Sequence, residues 1–133
     1  MERTYVMLKP DALKRGLVGE IISRIERKGY RIDDIKKMTL TESQLKEHYA
    51  HIAQFPFFPD LVAFMTSGPV IAMIVSGENA VAGIRTIMGA TKFEEALAGT
   101  IRGDFAFSTQ ENLIHGSDSI ESAEQEIARF FGM

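Results

Sequence analysis

The segment "PVIAMIVS", residues 69–76, is an almost unbroken run of apolar residues with the length of one strand. Such a continuous pattern predicts a strand that is buried on both of its faces. The elements predicted before and after this strand then decide the fold class.

Upstream of this strand, strand and helix patterns alternate. Residues 4–9 predict a first strand that ends at Pro10. Apolar residues at helical spacing from Val18 predict a helix, and Gly29 stands where its C-cap is expected. Residues 30–40 then predict a second strand.

The next segment predicts two helices. Thr41 and Gln44 have the spacing of a capping box, which indicates the start of a helix. A break is predicted between Pro56 and Pro59. A second, short helix follows the break and is predicted to end at Gly68.

Downstream of the apolar run, Asn79 is placed to cap a helix whose apolar face spans residues 81–88. A loop over residues 89–103 follows. Residues 113–115 predict a short last strand, and residues 120–131 predict a final amphipathic helix.

The order of the main elements is βαββαβ. This order is typical of the ferredoxin-like α+β fold, a four-stranded antiparallel sheet with helices packed on one side. The chain of 133 residues shows no repeat or linker, which predicts one domain over residues 1–133. Because this fold hosts many functions, the function has to be inferred from a site.

Composition excludes several classes of protein. The chain has no cysteine, so it has neither disulfides nor thiolate metal ligands. No apolar run approaches the roughly 18 residues of a membrane span. The net charge of −3 argues against a general nucleic-acid binder, although a few cations would suffice for a small anionic ligand. We expect a cytoplasmic protein without membrane contact or specific nucleic-acid binding.

The common nucleotide-binding glycine loops are absent, so phosphates would have to be held by cationic side chains. Lys9, Arg85 and Arg102 are candidates, although each also fits an ordinary strand-end, helix-surface or loop position. His48 and His51 lie three residues apart on a predicted helix. Without a nearby carboxylate pair, they are interpreted as solvent-facing rather than as metal ligands.

The third histidine, His115, stands in a different context. Gly116 allows the backbone to approach another group closely, and Ser117 adds a hydroxyl. Glu126 falls at the flank of the final helix's apolar stripe, where its carboxylate can reach back and orient an imidazole. At this stage a polar core histidine and an ordinary boundary glutamate remain the alternatives.

Several segments together resemble the nucleoside diphosphate kinase family. They are "ERTYVMLKPDAL" (2–13), "GATKFEEALAGTIRGDF" (89–105) and "NLIHGSDSIESAEQEI" (112–127), and the similarity extends over essentially the whole chain. The H-G-S-D-S motif preceded by an asparagine is highly specific. The K-P-D and G-T-I-R-G-D motifs support it independently.

The resemblance implies a role for each matching residue. His115 corresponds to the histidine that takes the phosphoryl group, and Ser117 and Glu126 correspond to the residues that support it. The groups around the phosphates correspond to Lys9, Tyr49, Arg85, Thr91 and Arg102. Asn112, together with Lys9, corresponds to the contact with the ribose hydroxyls, and Phe57 to the ring on which the base stacks.

The activity implied is transfer of the γ-phosphate of a nucleoside triphosphate, typically ATP, to nucleoside diphosphates through a phosphohistidine. Mg²⁺ is the implied cofactor. The sequence shows no acidic cluster for a metal cage, so the ion is expected to arrive with the nucleotide. Thr109 stands where the family usually has an aliphatic residue beside the base, which predicts a looser base clamp.

The resemblance also implies a homo-oligomer built from dimers. The segments "RGLVGEII" (15–22) and "GTIRGDF" (99–105) favour a hexamer of three dimers over a tetramer. Lys92 and Phe93 replace a common Asn-Pro pair in the loop that often touches neighbouring subunits, and the chain lacks the longer tail of many hexameric members. Both differences predict a less stable assembly.

Two functions of other classes remain as alternatives. One is a catalytically silent regulatory or scaffolding domain on the same fold, which the complete set of matching site residues argues against. The other is a ferredoxin-like binder of single-stranded nucleic acid, which the acidic balance and the lack of an RNP-type aromatic motif argue against. Phosphohistidine formation would separate all three functions.

Overall fold

An antiparallel four-stranded sheet lies at the centre of the structure, a computed structural model in which residues 1–132 are described. The strands are β1 (Glu2–Leu8), β2 (Arg31–Met38), β3 (Val70–Gly77) and β4 (Ile114–Gly116). Their order across the sheet is β2-β3-β1-β4, so β1 and β3 are the inner strands. The α+β ferredoxin-like class predicted from the sequence is confirmed.

In the described part of the chain, seven helices pack around the sheet. They are α1 (Pro10–Lys14), α2 (Val18–Lys28), α3 (Glu42–His48), α4 (Phe58–Met65), α5 (Ala80–Met88), α6 (Ile101–Phe105) and α7 (Ile120–Phe131). Two 3-10 turns, at Ala50–Ile52 and Phe93–Glu95, lie between them. Within residues 1–132, no helix is long and apolar enough to cross a membrane.

The helices cover both faces of the sheet, which corrects the expectation of helices on one side. Val6 and Leu8 of β1 pack in a core with α2 and α5. Tyr5 and Met7 of the same strand pack in a second core with α3, α4 and α7. The physical reason is that the inner strands are apolar on both faces, as predicted for residues 69–76, and each face needs its own layer.

Local signals at two helix ends act as the sequence predicts. Gly29 ends α2 in the left-handed conformation, with φ of 115°. At the start of α3, the backbone N–H of Gln44 donates to Thr41 Oγ1 at 3.1 Å, and the backbone N–H of Thr41 donates to Gln44 Oε1 at 2.9 Å. The capping box is therefore complete.

Other local predictions were wrong in detail. Pro59 lies in the first turn of a helix, where a missing N–H costs nothing, rather than at a break. Pro10 follows the end of the first strand, as predicted, and also lies in the first turn of a helix. Asn79 occupies the N-cap of α5, but its side chain makes no capping hydrogen bond. The predicted loop over residues 89–103 contains the Phe93–Glu95 turn and the start of α6, so Arg102 lies on a helix.

The chain enters β4 through an unusual backbone conformation at Leu113, whose φ is 77°. The Leu113 N–H donates to Asp11 Oδ2 at 3.1 Å, and its carbonyl accepts from the Lys9 N–H at 2.9 Å. Left-handed backbone is unfavourable for leucine, so these two bonds hold the turn in place. Through these two hydrogen bonds, the turn that precedes β4 is held against the segment that follows β1.

Candidate active site

His115 lies on β4 opposite Met7 of β1. Residues paired in this way project to the same face of a sheet, so the imidazole projects toward the α7 layer. There its Nε2 lies 3.0 Å from Glu126 Oε1. Because a carboxylate only accepts, the ring proton belongs on Nε2, and Nδ1 keeps its lone pair.

Glu126 reaches the ring because of where α7 begins. Ser119 caps the helix by accepting the Ser122 N–H at 3.0 Å, which places Glu126 in the second turn and close to β4. Ser117 donates its hydroxyl to Glu126 Oε1 at 2.7 Å. Burial acts to raise the pKa of Glu126, but the hydrogen bonds from His115 and Ser117 outweigh it and hold the pKa below its usual value.

Lys9 lies at the end of β1 and donates from Nζ to Asn112 Oδ1 at 2.7 Å. Burial and, secondarily, the nearby Arg102 lower the pKa of Lys9 to about 8. The side-chain amide of Asn112 in turn donates to the Thr91 carbonyl at 3.5 Å. These contacts bring together four of the residues selected from the sequence.

Arg102 is buried and ties three segments together. Its guanidinium donates to the carbonyls of Asn112 (3.4 Å), Gly89 (3.2 Å) and Ile114 (2.6 Å). Burial, followed by the charge of Arg85, lowers the pKa of Arg102 to about 10, so it remains a cation near pH 7. Arg102 therefore adds positive charge to the site while it fixes the backbone around β4.

Arg85 and Gly116 bring α5 close to the nucleophile. Arg85 donates from Nη1 to the Gly116 carbonyl at 3.1 Å, so its guanidinium lies beside the strand that carries His115. A Cβ on Gly116 would come within 2.6 Å of Met88 Sδ and 3.3 Å of Ile84 Cγ2. Only glycine allows the strand and the helix to approach this closely.

Two cavities adjoin at this site, and Tyr49 lines both of them. The first, of about 580 Å³, contains His115, Arg85 and Glu126. Burial, then the charge of Glu126, raises the pKa of Tyr49 to about 12, so its phenol keeps its proton near pH 7. The first cavity is therefore bordered by a cation, a carboxylate and a neutral hydroxyl.

The second cavity, of about 550 Å³, is more apolar at one end. Its lining includes Lys9, Phe57, Leu61, Thr91, Thr109 and Asn112. Phe57 is half exposed and stacks on Phe55 at 5.7 Å between ring centroids. Every site residue selected from the sequence thus lines one of the two cavities or contacts a residue that does.

His48 was wrongly interpreted as solvent-facing: its side chain is 8% exposed. The ring lies edge-on to that of His115, with centroids 4.9 Å apart and planes at 77°. Arg129 Nη1 lies 3.0 Å from His48 Nδ1. The available signal was spacing, because His48 follows the buried Leu45 by three residues on the same helix face. His51 is exposed, as expected.

The donor set does not form a magnesium cage. Among residues 1–132, the side chains grouped closely enough to share a metal are His48, His115 and Glu126, with ligating atoms within 4.8 Å of one another. Mg²⁺ prefers oxygen ligands, whereas two of these three are nitrogens and the Arg129 cation lies beside them. That Mg²⁺ arrives with the nucleotide stays a prediction.

Comparison with known sequences gives one consistent result. The nucleoside diphosphate kinase family model matches residues 2–133. The nucleoside diphosphate kinase of Thermus thermophilus is 56% identical over 131 residues, which cover 98% of this chain and 96% of the relative. That of Deinococcus radiodurans is 54% identical over 132 residues, covering 99% and 96%.

Solved structures agree with the sequence comparison. The apo nucleoside diphosphate kinase of Encephalitozoon cuniculi superposes with a TM-score of 0.97 at 45% identity, covering 100% of this chain and 90% of that one. The halophilic enzyme of Halobacterium salinarum, solved in complex with CDP, gives 0.96 at 48% identity, covering 99% and 88%. The chain therefore belongs to the nucleoside diphosphate kinase family and is a phosphotransferase.

Proposed function

We propose that the chain carries out its nucleoside diphosphate kinase reaction by a ping-pong route through a phosphohistidine on Nδ1 of His115. The observation that carries the proposal is the hydrogen bond between His115 Nε2 and Glu126, which directs the ring lone pair to Nδ1. The donor is a nucleoside triphosphate, typically ATP, and the acceptor is any nucleoside diphosphate. A neutral imidazole is a competent nucleophile near pH 7.

In the first half-reaction, the Nδ1 lone pair attacks the γ-phosphorus, and an N–P bond forms. The bond from that phosphorus to the β,γ-bridging oxygen breaks, and its electron pair leaves with the nucleoside diphosphate. Positive charge that grows on the ring is stabilised by Glu126, which accepts the Nε2 proton in a hydrogen bond. An acceptor diphosphate then attacks the phosphohistidine, and the same steps run in reverse.

The cations of the site bind the phosphates and offset the charge on their oxygens. Lys9, Arg85 and Arg102 supply this charge, and the Tyr49 hydroxyl and Thr91 add neutral donors. Bound Mg²⁺ supplies further neutralisation of phosphate charge. Since the side chains of residues 1–132 do not form an oxygen cage, the nucleotide phosphates are the ligands we assign to the ion.

The second cavity is assigned to the nucleoside. Phe57 offers a face on which a base stacks, and stacking tolerates every base because each has a π-face. Thr109 lies in the same cavity as a small polar neighbour, which gives a loose clamp and broad base use. Lys9 and Asn112, joined at 2.7 Å, are placed to meet ribose hydroxyls. The Halobacterium salinarum relative was solved in complex with CDP, which supports nucleotide binding by this chain.

A homo-oligomer and a cytoplasmic location complete the proposal. The exposed outer edge of β2 supports self-association. A cytoplasmic location agrees with substrates that are intracellular metabolites.

The test is phosphoenzyme formation on mixing the protein with Mg²⁺ and ATP labelled at the γ-phosphate. We expect one label per active chain, labile to acid and stable to base, which a chase with CDP or UDP converts to labelled triphosphate. His115→Ala should fold and remain unlabelled. Label that persists in His115→Ala, or that maps to His48 or His51, would contradict the assignment, and a parent that takes no label would contradict the route itself.

A further inference from the structure

A second histidine lies against the nucleophile, and the proposed route does not use it. The ring of His48 is buried and lies nearly perpendicular to the ring of His115, with centroids 4.9 Å apart. Other aromatic rings enclose it: Tyr49 at 4.6 Å, Phe130 at 5.3 Å and Tyr5 at 6.4 Å. The position of the His48 ring is therefore fixed by close packing on several sides.

Arg129 fixes the protonation of this ring as well as its position. Because a guanidinium only donates, the contact at 3.0 Å makes His48 Nδ1 the acceptor. A neutral His48 therefore carries its proton on Nε2. Arg129 is itself held from the other side by Glu47, with Nε 3.3 Å from Oε1. His48 is therefore in contact with Arg129 through Nδ1 and with the ring of His115.

Burial, more than charge, keeps His48 neutral. It is the largest cause that lowers the pKa of His48 to about 3; the charges of His115, Arg129 and His51 act in the same direction, and Glu126 acts in the opposite direction. The titratable and charged groups that face it are His115 on β4, Glu126 and Arg129 on α7, Tyr5 on β1, and Glu47, Tyr49 and His51 near its own helix. His48 therefore acts as an uncharged ring throughout the working pH range.

Glu126 alone does not control the orientation of the nucleophile. It holds His115 at Nε2, which lies closer to the axis of the Cβ–Cγ bond than Nδ1 does. Rotation about that bond therefore displaces Nδ1 more than Nε2. The hydrogen bond to Glu126 consequently resists the rotation only weakly. The next ring that limits the rotation, Tyr5, is farther away, at 6.0 Å. The His48 ring is the aromatic ring nearest to that of His115, and contact with it opposes this rotation.

We propose that His48, fixed by Arg129, is a positioning residue that restricts rotation of the His115 ring and so keeps Nδ1 aimed at the incoming phosphorus. The inference rests on the proposed function, since it presupposes that Nδ1 is the nucleophile. Orientation of reacting atoms is a large term in phosphoryl transfer, where little other chemistry is left to the protein. Loss of the ring should therefore slow the chemical step and leave nucleotide binding unchanged.

The experiment compares three variants in single-turnover phosphorylation by Mg·ATP. His48→Ala removes the ring and should slow phosphorylation roughly 10- to 100-fold, with nucleotide affinity unchanged. His48→Asn keeps an acceptor for Arg129 but has no ring, and should be as slow. His48→Phe restores a ring of similar shape and should recover a rate within about threefold of the parent. Lys46→Ala, an exposed change on the same helix at a residue that lines neither cavity, is the matched control and should leave the rate unchanged.

Nitrogen NMR of the histidine side chains supplies a readout that a general loss of stability would not produce. In the parent, His115 should show one tautomer, with the proton on Nε2. In His48→Ala it should keep that tautomer, because Glu126 still accepts the Nε2 proton, but the ring signals of His115 should shift or broaden as the ring gains freedom to rotate. His48→Phe should return these signals to those of the parent. If His48→Ala does not fold, the phosphorylation rates and the His115 signals of His48→Phe and His48→Asn are compared instead. The positioning role then requires that only His48→Phe resembles the parent.

The two proposals fail differently. A parent protein without label on His115 contradicts the proposed function. A labelled parent whose rate is matched by His48→Ala or His48→Asn contradicts only the positioning role. The same conclusion follows if His48→Phe is as slow as the variants that lack the ring.

Discussion

Burial moves the pKa values of two neighbouring side chains at this site in opposite directions. It lowers the pKa of Lys9 to about 8 and raises that of Tyr49 to about 12. At Glu126, hydrogen bonds from His115 and Ser117 overcome burial and keep the pKa low. Near pH 7 the site therefore presents an ammonium, a neutral phenol and a carboxylate, the charge states that the proposed reaction uses.

Replacement of Glu126 by glutamine should slow phosphoryl transfer by roughly 10- to 10⁴-fold. The amide cannot stabilise positive charge on the His115 ring as a carboxylate does. Nucleotide affinity should change little, because Glu126 contacts the ring and the Ser117 hydroxyl rather than a phosphate. Rapid-quench measurement of the phosphoenzyme checks the rate, and a value within twofold of the parent would remove Glu126 from the mechanism.

The lowered pKa of Lys9 predicts a pH dependence of binding. Lys9 is charged below a pH of about 8 and loses its charge as the pH rises through that value. Because an anionic ligand favours the charged form, affinity for ADP should fall above pH 8 by up to about tenfold per pH unit. Calorimetric titration of the protein with ADP, from pH 7.5 to 9.5, measures this change in affinity.

The control for the Lys9 titration is Lys9→Gln. This variant should bind ADP more weakly and without that pH dependence. An affinity of the parent that stays constant up to pH 9.5 would be inconsistent with a lowered pKa at Lys9.

Among the elements, the contact between α5 and β4 is the tightest link between the core and the nucleophile. Replacing Gly116 by alanine would place Cβ 2.6 Å from Met88 Sδ and 3.3 Å from Ile84 Cγ2, so these buried side chains have to shift. Overpacking of this kind costs about 1–3 kcal/mol of unfolding free energy. We also expect a slower transfer reaction, since His115 is the adjacent residue.

Urea denaturation measures the cost of Gly116→Ala. Gly68→Ala is the matched control, because its added Cβ would lie 3.9 Å from Pro10 Cβ, an ordinary contact. Adding Met88→Ala to Gly116→Ala should give a smaller loss than the sum of the two single changes. If the losses of unfolding free energy are strictly additive, the Met88 side chain is not the group that clashes with the new methyl.

Elements with long periodic patterns were predictable from the sequence, and short ones were not. The helices α2, α5 and α7 carry clear helical periodicity, and the continuous apolar run of β3 is typical of a buried strand. The helices α1 and α6 have five residues each, too few to show a period. Their residues are interpreted more readily as loop, and only the packing of the folded chain shows them to be helical.

The site was predictable where motif residues are close together in sequence. His115 and Ser117 lie in one motif, and Glu126 follows on the next helix. The buried state of His48 and the three carbonyl contacts of Arg102 depend on segments that meet only in the folded chain. Contacts between distant segments do not follow from composition or residue spacing, so the sequence alone did not predict them.

In the whole molecule, the strand β2 leaves one edge of the sheet unpaired. Its residues are mostly exposed, and Ile35 is 46% exposed on it. An open edge of eight residues is a surface on which a second chain can pair or pack. Leu97 and Phe107, both strongly exposed, add apolar surface elsewhere. Both regions are available for contacts between copies of the chain.

We expect a hexamer of three dimers in solution. Phe93 replaces a family proline that would limit the freedom of the unfolded loop, an effect of about 0.4–1 kcal/mol per chain that recurs in every copy. The assembly should therefore dissociate on dilution more readily than that of longer relatives. Light scattering at several protein concentrations measures the mass. A mass of four chains, or a monomer at every concentration, would defeat this expectation.

The strand that carries the nucleophile also has the least strand pairing in the sheet. β4 has three residues and one neighbour, whereas β1 and β3 are each paired on two sides between two cores. Amide hydrogens of β1 and β3 should therefore exchange with solvent slowest, through global unfolding, and those of β4 much faster, through local opening. A bound nucleotide should slow exchange in β4 selectively. On heating, catalysis should consequently be lost while most of the molecule keeps its native circular dichroism.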